Sequence, residues 1–131
     1  MVVRKVGSLV LLRQNSEAAT EEEWNNLIDT IVALRADLPK VKFVVRTDGG
    51  GPSPPQRQRL EAALAGKPAR VAVVSDHLKV RFVTSTIALF QKDLKSFLVK
   101  EIAQAYDHLG MSESERRQAE IALSQMESEL A

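Results

Sequence analysis

The sequence contains no cysteine, and this absence removes several classes of protein at once. Disulfide scaffolds, thiolate nucleophiles and cysteine-rich zinc sites are all excluded. Histidine is also scarce, since His77 and His108 are the two in the chain and lie far apart in the sequence. We therefore expect no metal site and no resident cofactor.

A strong net charge and a long apolar run are also missing. The 18 basic and 17 acidic residues leave a net charge of +1, which supplies no overall field to attract nucleic acid or an anionic membrane. No apolar segment approaches the roughly 20 residues that a membrane-spanning helix needs, and the N-terminus lacks a signal-peptide pattern. The sequence therefore predicts a soluble cytoplasmic protein that neither binds nucleic acid nor spans a membrane.

The most informative stretch that is present runs from Val41 to Arg57. Residues 41–45 are almost all apolar, which is typical of a strand covered on both faces in a parallel sheet. Gly49–Gly51 then allow backbone angles that other residues avoid and leave their amides uncovered by side chains. Ser53 is a good N-cap and Pro54 suits the first helical position. The stretch thus predicts a strand, a loop and a helix N-terminus, where amide dipoles favour negative charge.

Hydrophobic spacing and capping signals predict the other elements. They begin with a hairpin of strands 2–6 and 9–13, a helix opened by the capping box of Thr20 and Glu23 and ended near Pro39, and a strand at 70–74. The next helix can be capped by Ser75 or Asp76, and Leu78, Phe82, Ser85, Thr86 and Leu89 share one side of it. A strand at 95–99 and helices at 100–109 and 113–130 follow, and Ser112 with Glu115 forms a capping box at the start of the last helix. This alternation predicts an α/β fold with a mixed, largely parallel β-sheet, an N-terminal hairpin and helices packed on it. Residues 1–110 would form one domain, and 111–131 a C-terminal helical extension packed on that domain or on a partner.

The element order, together with the stretch Val71–Phe97, resembles the STAS fold of anti-sigma-factor antagonists and related bacterial proteins. The similar region covers roughly Val2 to Leu109. In that pattern, an Asp-containing, glycine-rich loop opens a helix, and the next strand leads into a helix that reads Leu78–Thr86 here. The resemblance implies a non-enzymatic docking module, in some members switched by phosphorylation of a loop serine or threonine and in others binding nucleotides or lipids.

The loop departs from that family pattern at the phosphorylation position. A hydroxyl residue would directly follow the aspartate, whereas Asp48 is followed by Gly49–Gly51 and Pro52 before Ser53. Two flanking prolines restrict Ser53, and we expect its hydroxyl to cap the helix. We therefore do not expect Ser53 to be a phosphorylation switch.

The residues expected to bind a partner or ligand all follow predicted strand ends. They are Thr47, Asp48, Gly49, Gly50, Gly51, Ser53, Arg57 and Asp76. The first hypothesis is a non-catalytic regulatory or protein-interaction module that has a protein partner and binds it through the junction at 47–57. The second is a binder of a small anionic or amphipathic ligand at the same sheet edge, and a homodimer through the C-terminal helix is a further option.

A third hypothesis is a magnesium-dependent hydrolase that uses Asp48 and Asp76, but no third carboxylate or catalytic lysine is identifiable. The glycine loop likewise lacks the lysine and hydroxyl residue of a nucleotide P-loop. His77 beside Asp76 could pair a base with an orienting carboxylate, yet adjacent residues rarely face each other correctly. We therefore expect a protein that is not an enzyme.

Overall fold

The computed structural model describes residues 1–89 and 91–130, so Ala131 at the end of the predicted extension lies outside the described residues. Within them, the strands are β1 (Val2–Val6), β2 (Leu9–Gln14), β3 (Lys42–Thr47), β4 (Arg70–Val74) and β5 (Leu94–Phe97). The α-helices are α1 (Glu21–Leu34), α2 (Pro54–Leu64), α3 (Leu78–Ile87), α4 (Ile102–Leu109) and α5 (Glu113–Leu130). Short 3₁₀ helices follow α1 at Arg35–Lys40 and precede α4 at Val99–Glu101.

The strands form one sheet in the order β1-β2-β3-β4-β5. The β1–β2 hairpin is antiparallel, with Val6 opposite Leu9 around a turn that contains Gly7 at positive φ. The other pairs are parallel. The predicted α/β fold with a mixed, largely parallel sheet and an N-terminal hairpin is confirmed.

The strand order decides which face each helix covers. From β2 to β5 each strand lies beside the one before it, and right-handed crossovers in a single direction place every connecting helix on the same face. The helices α1, α2 and α3 therefore share one face. The opposite face is left for the two helices that follow the last strand, which is why α4 and α5 pack there.

The α4–α5 face has a single continuous core. It is formed by Leu9, Leu11, Val44, Ala72, Val74, Ala105, Tyr106, Leu109, Met111, Ala119, Ala122, Leu123 and Met126. Met126 of α5 is fully buried in this core. The predicted capping box at the start of α5 is present, because the Ser112 hydroxyl accepts from the Glu115 amide at 3.1 Å and Glu115 Oε1 accepts from the Ser112 amide.

The α1–α3 face holds two separate clusters. The larger one joins α1 and α2 to the sheet and contains Val10, Leu12, Ala19, Trp24, Leu27, Ile31, Leu38, Val41, Phe43, Ala63, Leu64 and Ala69. The smaller one joins α3 to the sheet through Val73, Val80, Ile87 and Leu94. Half-buried Val45 and Val71 touch both clusters.

Helix α3 presents its sides in an unexpected way. Leu78 and Phe82 face away from the sheet, as does Leu89 two residues beyond the end of the helix, and the buried residues are Val80, Thr84 and Ile87. A different set of apolar residues could face the sheet because apolar residues occur on almost every side of this helix. Short β-branched residues turn inward and the longest apolar side chains turn outward.

Candidate functional site

The glycine loop lies where parallel strands β2, β3 and β4 end, as expected for a loop that follows a parallel strand. The Thr47 hydroxyl is buried and donates to the Gly50 carbonyl at 2.7 Å, and it accepts from the Gly49 amide at 3.2 Å. The Gly50 amide donates to the Asn15 carbonyl at 2.9 Å. The amides of Gly49 and Gly50 are therefore already engaged within the protein.

Gly50 is required by a close backbone approach. A Cβ atom built at this position would lie 2.7 Å from the Asn15 carbonyl oxygen and closer still to that of Glu17. Since both contacts are with backbone atoms, a larger side chain could not be accommodated by rotating a neighbour. Gly49 adopts φ +131°, a conformation that side chains disfavour. These two glycines fix the loop against the segment after β2.

The N-terminus of α2 is closed by its own residues. The Ser53 hydroxyl accepts from the Gln56 amide at 3.3 Å, and the Gln56 side chain accepts from the Ser53 amide at 3.0 Å. Pro54 and Pro55 carry no amide hydrogen. The capping prediction for Ser53 is confirmed, but the helix end offers little to an anion, because its first amides are either absent or engaged.

Asp48 and Asp76 follow neighbouring strands, yet each holds another part of the protein. Asp48 Oδ2 lies 2.8 Å from Nη2 of Arg13, a buried arginine that also contacts Glu127 of α5 at 3.3 Å. Asp76 Oδ1 accepts from the Val99 amide at 3.0 Å. Among the described residues, no cluster of three His, Asp or Glu side chains is placed to hold a metal ion.

The start of α3 also differs from expectation, since neither Ser75 nor Asp76 caps it. The cap position falls on His77, whose side chain makes no capping hydrogen bond. The Ser75 hydroxyl accepts instead from the His77 amide at 3.2 Å. The His77 ring lies against Gly49, 3.5 Å from where a Cβ atom would sit, so the β3 and β4 loops touch at this edge.

An apolar cavity of about 180 Å³ lies beneath these loops, between the sheet and the inner sides of α1, α2 and α3. Apolar side chains form most of its wall, namely Met1, Leu12, Trp24, Leu27, Ile31, Phe43, Val45, Leu60, Leu64, Ala69, Val71, Val73, Val80, Val83, Ile87 and Leu94. The polar contributions come from Gln14, Thr47, Lys79, Thr84 and Gln91, and the loop closes one end with Gly49, Gly50, Gly51 and Pro52.

The cavity follows from the residues that α2 and α3 turn toward the sheet. Helix α2 contributes few large apolar side chains, chiefly Leu60 and Leu64, and α3 contributes short ones such as Val80 and Thr84. The sheet below also carries short valines, including Val45 and Val73. Side chains of this size leave space between the two clusters that a longer aliphatic residue would fill.

The predicted site residues divide into two groups. Thr47 and Gly49–Gly51 line the cavity. Asp48, Ser53, Arg57 and Asp76 are absent from its wall and, except for half-buried Arg57, are already hydrogen-bonded to other parts of the fold. Of the predicted site, the residues at the end of β3 and in the glycine loop therefore border the apolar cavity.

Two cavity residues have properties that the sequence did not connect with a site. Trp24 is buried in the core but also lines the cavity, and its indole N–H has no hydrogen-bond partner within the described residues. Lys79 is exposed at the cavity rim and forms no salt bridge in the part of the chain that the structure describes. The sequence did contain one signal for a cavity, namely that the consecutive helices α2 and α3 carry few large apolar residues on their inner sides.

No helix in residues 1–89 and 91–130 is long and apolar enough to cross a membrane. Comparison with known proteins gave no relative: no family model, no curated protein and no solved structure matches this chain.

Proposed function

We propose that this protein is a non-catalytic binding module for a small amphipathic molecule. The apolar part of the ligand fills the cavity between the sheet and α1–α3, and an anionic head reaches Lys79 at the rim. The observation that carries the proposal is the cavity itself, an apolar space under the loops at the carboxyl ends of parallel strands, where ligands of open α/β sheets commonly bind.

Most of the affinity would come from the apolar part. Burying a methylene contributes about 0.8 kcal/mol, which corresponds to roughly a fourfold gain in affinity per methylene until the cavity is full. The space suits a ring or a short acyl chain, since a dry cavity of about 150 Å³ is sufficient for benzene. A long acyl chain would require α3 to move.

The charged head contributes less than the chain. Two glycine amides and the α2 N-terminus are engaged, so charge recognition falls to the Lys79 side chain. An exposed ion pair contributes about 0 to 1 kcal/mol. We therefore expect a carboxylate to bind at most about fivefold more tightly than an alcohol with the same chain.

The single tryptophan provides the measurement, because Trp24 lines the cavity and no other residue of its type contributes to the signal. Octanoate should change the fluorescence of Trp24 saturably, at concentrations below its micelle formation, and hexanoate should bind more weakly. Octanol should also bind. Absence of any saturable change with both compounds would contradict the proposal.

A Lys79→Gln variant separates the head from the chain. It should weaken octanoate binding without weakening octanol binding, since the alcohol has no charge to pair. Arg57→Gln is the matched control, because Arg57 is outside the cavity wall, and it should bind both compounds as the wild type does. Equal weakening of octanoate and octanol by Lys79→Gln would show that Lys79 acts on the fold and not on the head group.

We propose protein docking at the junction 47–57, as in a STAS-like module, as a second function. Its support is the exposed tip Ser53–Pro55, where two prolines reduce the conformational entropy that binding would otherwise cost. A pull-down with wild type and with Pro55→Glu tests it. A partner retained equally by both proteins would place the contact elsewhere.

A further inference from the structure

The outer side of α3 exposes large apolar side chains that the cavity does not use. Leu78 is 80% exposed and Phe82 75%, and Leu89, two residues beyond the end of α3, is 85% exposed. Leu78 and Phe82 are separated by about 40° around the helix axis, and both lie opposite buried Val80 and Ile87. These long apolar residues therefore form one outward stripe. Exposed apolar residues that are scattered singly are normal, but a contiguous stripe of them indicates an interaction site.

The charged residues of α3 itself are all basic, and the nearest acidic residues in the sequence, Asp76 and Asp93, lie just outside it. Lys79 and Arg81 lie on either side of the stripe along α3, and Lys92 follows in the next turn, whereas no Asp or Glu occurs between His77 and Lys92. None of these basic residues forms a salt bridge in the described part of the chain. The balanced charge of the whole chain, +1, conceals this local basic segment.

We propose that the outer side of α3 docks on an anionic lipid membrane. Leucine and phenylalanine side chains that project from a helix enter the acyl boundary, and lysine and arginine on its flanks extend to the head groups. The helix would lie in the interface plane without crossing the bilayer. Both parts of the surface, apolar centre and basic border, find a partner in this arrangement.

A second copy of this chain fits the surface poorly. A twofold dimer through α3 would bring the same patch from each copy together. Lys79 and Arg81 of one copy would then lie against the like charges of the other, and such contacts cost several kcal/mol in protein interfaces. A lipid surface offers negative charge at the same border.

Docking would also set the cavity against the bilayer, and this step rests on the proposed function. The outer side of α3 carries Leu78 and Phe82, and its inner side lines the cavity with Val80 and Val83. The amphipathic ligand would then be a membrane lipid product, such as a free acyl chain, that enters beneath the helix.

Co-sedimentation with vesicles tests the docking. The protein should bind vesicles of equal parts phosphatidylcholine and phosphatidylserine, release at high salt, and leave pure phosphatidylcholine vesicles unbound. Phe82→Ser should weaken binding about tenfold, because one large apolar side chain is lost from the acyl boundary. Arg81→Glu should weaken it by a similar factor, since the border charge is reversed.

Ile121→Ser is the matched control, because Ile121 is also an exposed large apolar residue but lies on α5, on the other side of the sheet. It should bind vesicles as the wild type does. Failure of the wild type to co-sediment with the anionic vesicles, or equal binding by Phe82→Ser, would overturn the proposal. So would a concentration-dependent dimer that Phe82→Ser abolishes, since the stripe would then be covered by a second copy.

Ligand binding in the cavity and membrane docking through α3 can be disproved independently of each other. Octanoate titration of Trp24 needs no vesicle, and Phe82→Ser should leave it unchanged because Phe82 is not part of the cavity wall. Vesicle binding without an octanoate response would keep the membrane surface and remove the cavity as a ligand site. An octanoate response without vesicle binding would do the reverse.

Discussion

The two faces of the sheet are packed in different ways. On the α4–α5 face a single cluster runs from β2 across to β4, and Leu9, Leu11, Leu109 and Met126 are essentially inaccessible to solvent. On the α1–α3 face the apolar residues divide into two clusters with a cavity of about 180 Å³ between them. The first face has little space left to fill, and the second has space for a ligand.

This difference separates stability from binding. Close packing gives the α4–α5 face its contribution to the free energy of unfolding. The α1–α3 face contributes less to the free energy of unfolding because it is packed less closely. It also contains α3, a helix of low intrinsic stability. Helix α3 has no side-chain cap, several β-branched residues, and hydroxyls that bond back to its own carbonyls, as Thr84 does to Val80 at 2.8 Å.

The largest contrast is expected between core truncations on the two faces. Met126→Ala should reduce the free energy of unfolding by about 3 to 5 kcal/mol, because it opens a void in a filled core. Ile87→Ala should cost about 2 kcal/mol, at the lower end for such a change, because the Ile87 side chain already borders the cavity and loses fewer packing contacts. Urea denaturation of both variants measures the difference, and equal losses would contradict the contrast between the faces.

The α4–α5 face also contains a carboxylate whose ionisation should couple stability to pH. Hydrogen bonds from the Lys42 ammonium at 2.9 Å and from the Ser112 amide hold the pKa of Glu115 at about 2, below the usual 4.5. The ionised form therefore stabilises the fold above pH 4.5, and this contribution is lost as the pH falls from there toward 2.

Glu115→Gln removes this contribution, which we estimate at about 1 to 2 kcal/mol at pH 7 because the pair is partly exposed. Denaturation at a series of pH values should show the wild type and the variant converging as the pH approaches about 2. Glu120→Gln, an exposed change on the same helix, should leave the pH dependence as it is in the wild type. A difference between wild type and Glu115→Gln that is constant with pH would rule out the ion pair as its cause.

Each face has a helix that begins with a capping box, and the loss of either cap should lower the stability by the same amount. Ser53 opens α2 on the cavity face and Ser112 opens α5 on the other. Each serine→alanine change should cost about 1 kcal/mol, since a cap is a local interaction. Thermal denaturation measures both, and a cost several times larger for Ser112 would show that its cap is coupled to the core.

The smallest expected effect is a gain. Ala65 ends α2 in a left-handed conformation with φ 52° and is exposed, so its methyl group brings strain without packing. Ala65→Gly should stabilise the protein by about 0.5 to 1 kcal/mol, since glycine adopts this conformation without a steric cost. A lower melting temperature for this variant would show that the methyl group contributes packing that outweighs its strain.

Local signals predicted much of the fold. The capping boxes at Thr20 and Ser112 and the N-cap at Ser53 placed three helix starts correctly, and apolar runs located the strands within a few residues. Boundaries differed where tertiary contacts decided them: α1 ends at Leu34, before a 3₁₀ helix that contains Pro39. Such contacts cannot be read from local spacing.

The site was less predictable for a physical reason. Glycines at 49–51 marked the correct loop, but whether their amides were free depended on Asn15 and Thr47, which only the folded chain brings there. Asp48 read as a free carboxylate because its partner, Arg13, is far away in sequence. The cavity arises from side-chain volumes on three helices and the sheet at once, and no short motif encodes it.

The central claim is that the space on the α1–α3 face is kept open for a ligand, and a cavity-filling variant tests it most directly. Val45→Phe places a ring in the cavity wall, and Val32→Phe makes the same change at an exposed position of α1 outside it. If the claim is correct, Val45→Phe keeps or raises the melting temperature and abolishes the octanoate response of Trp24, while Val32→Phe binds as the wild type does. A folded Val45→Phe protein that binds octanoate with unchanged affinity would contradict the claim.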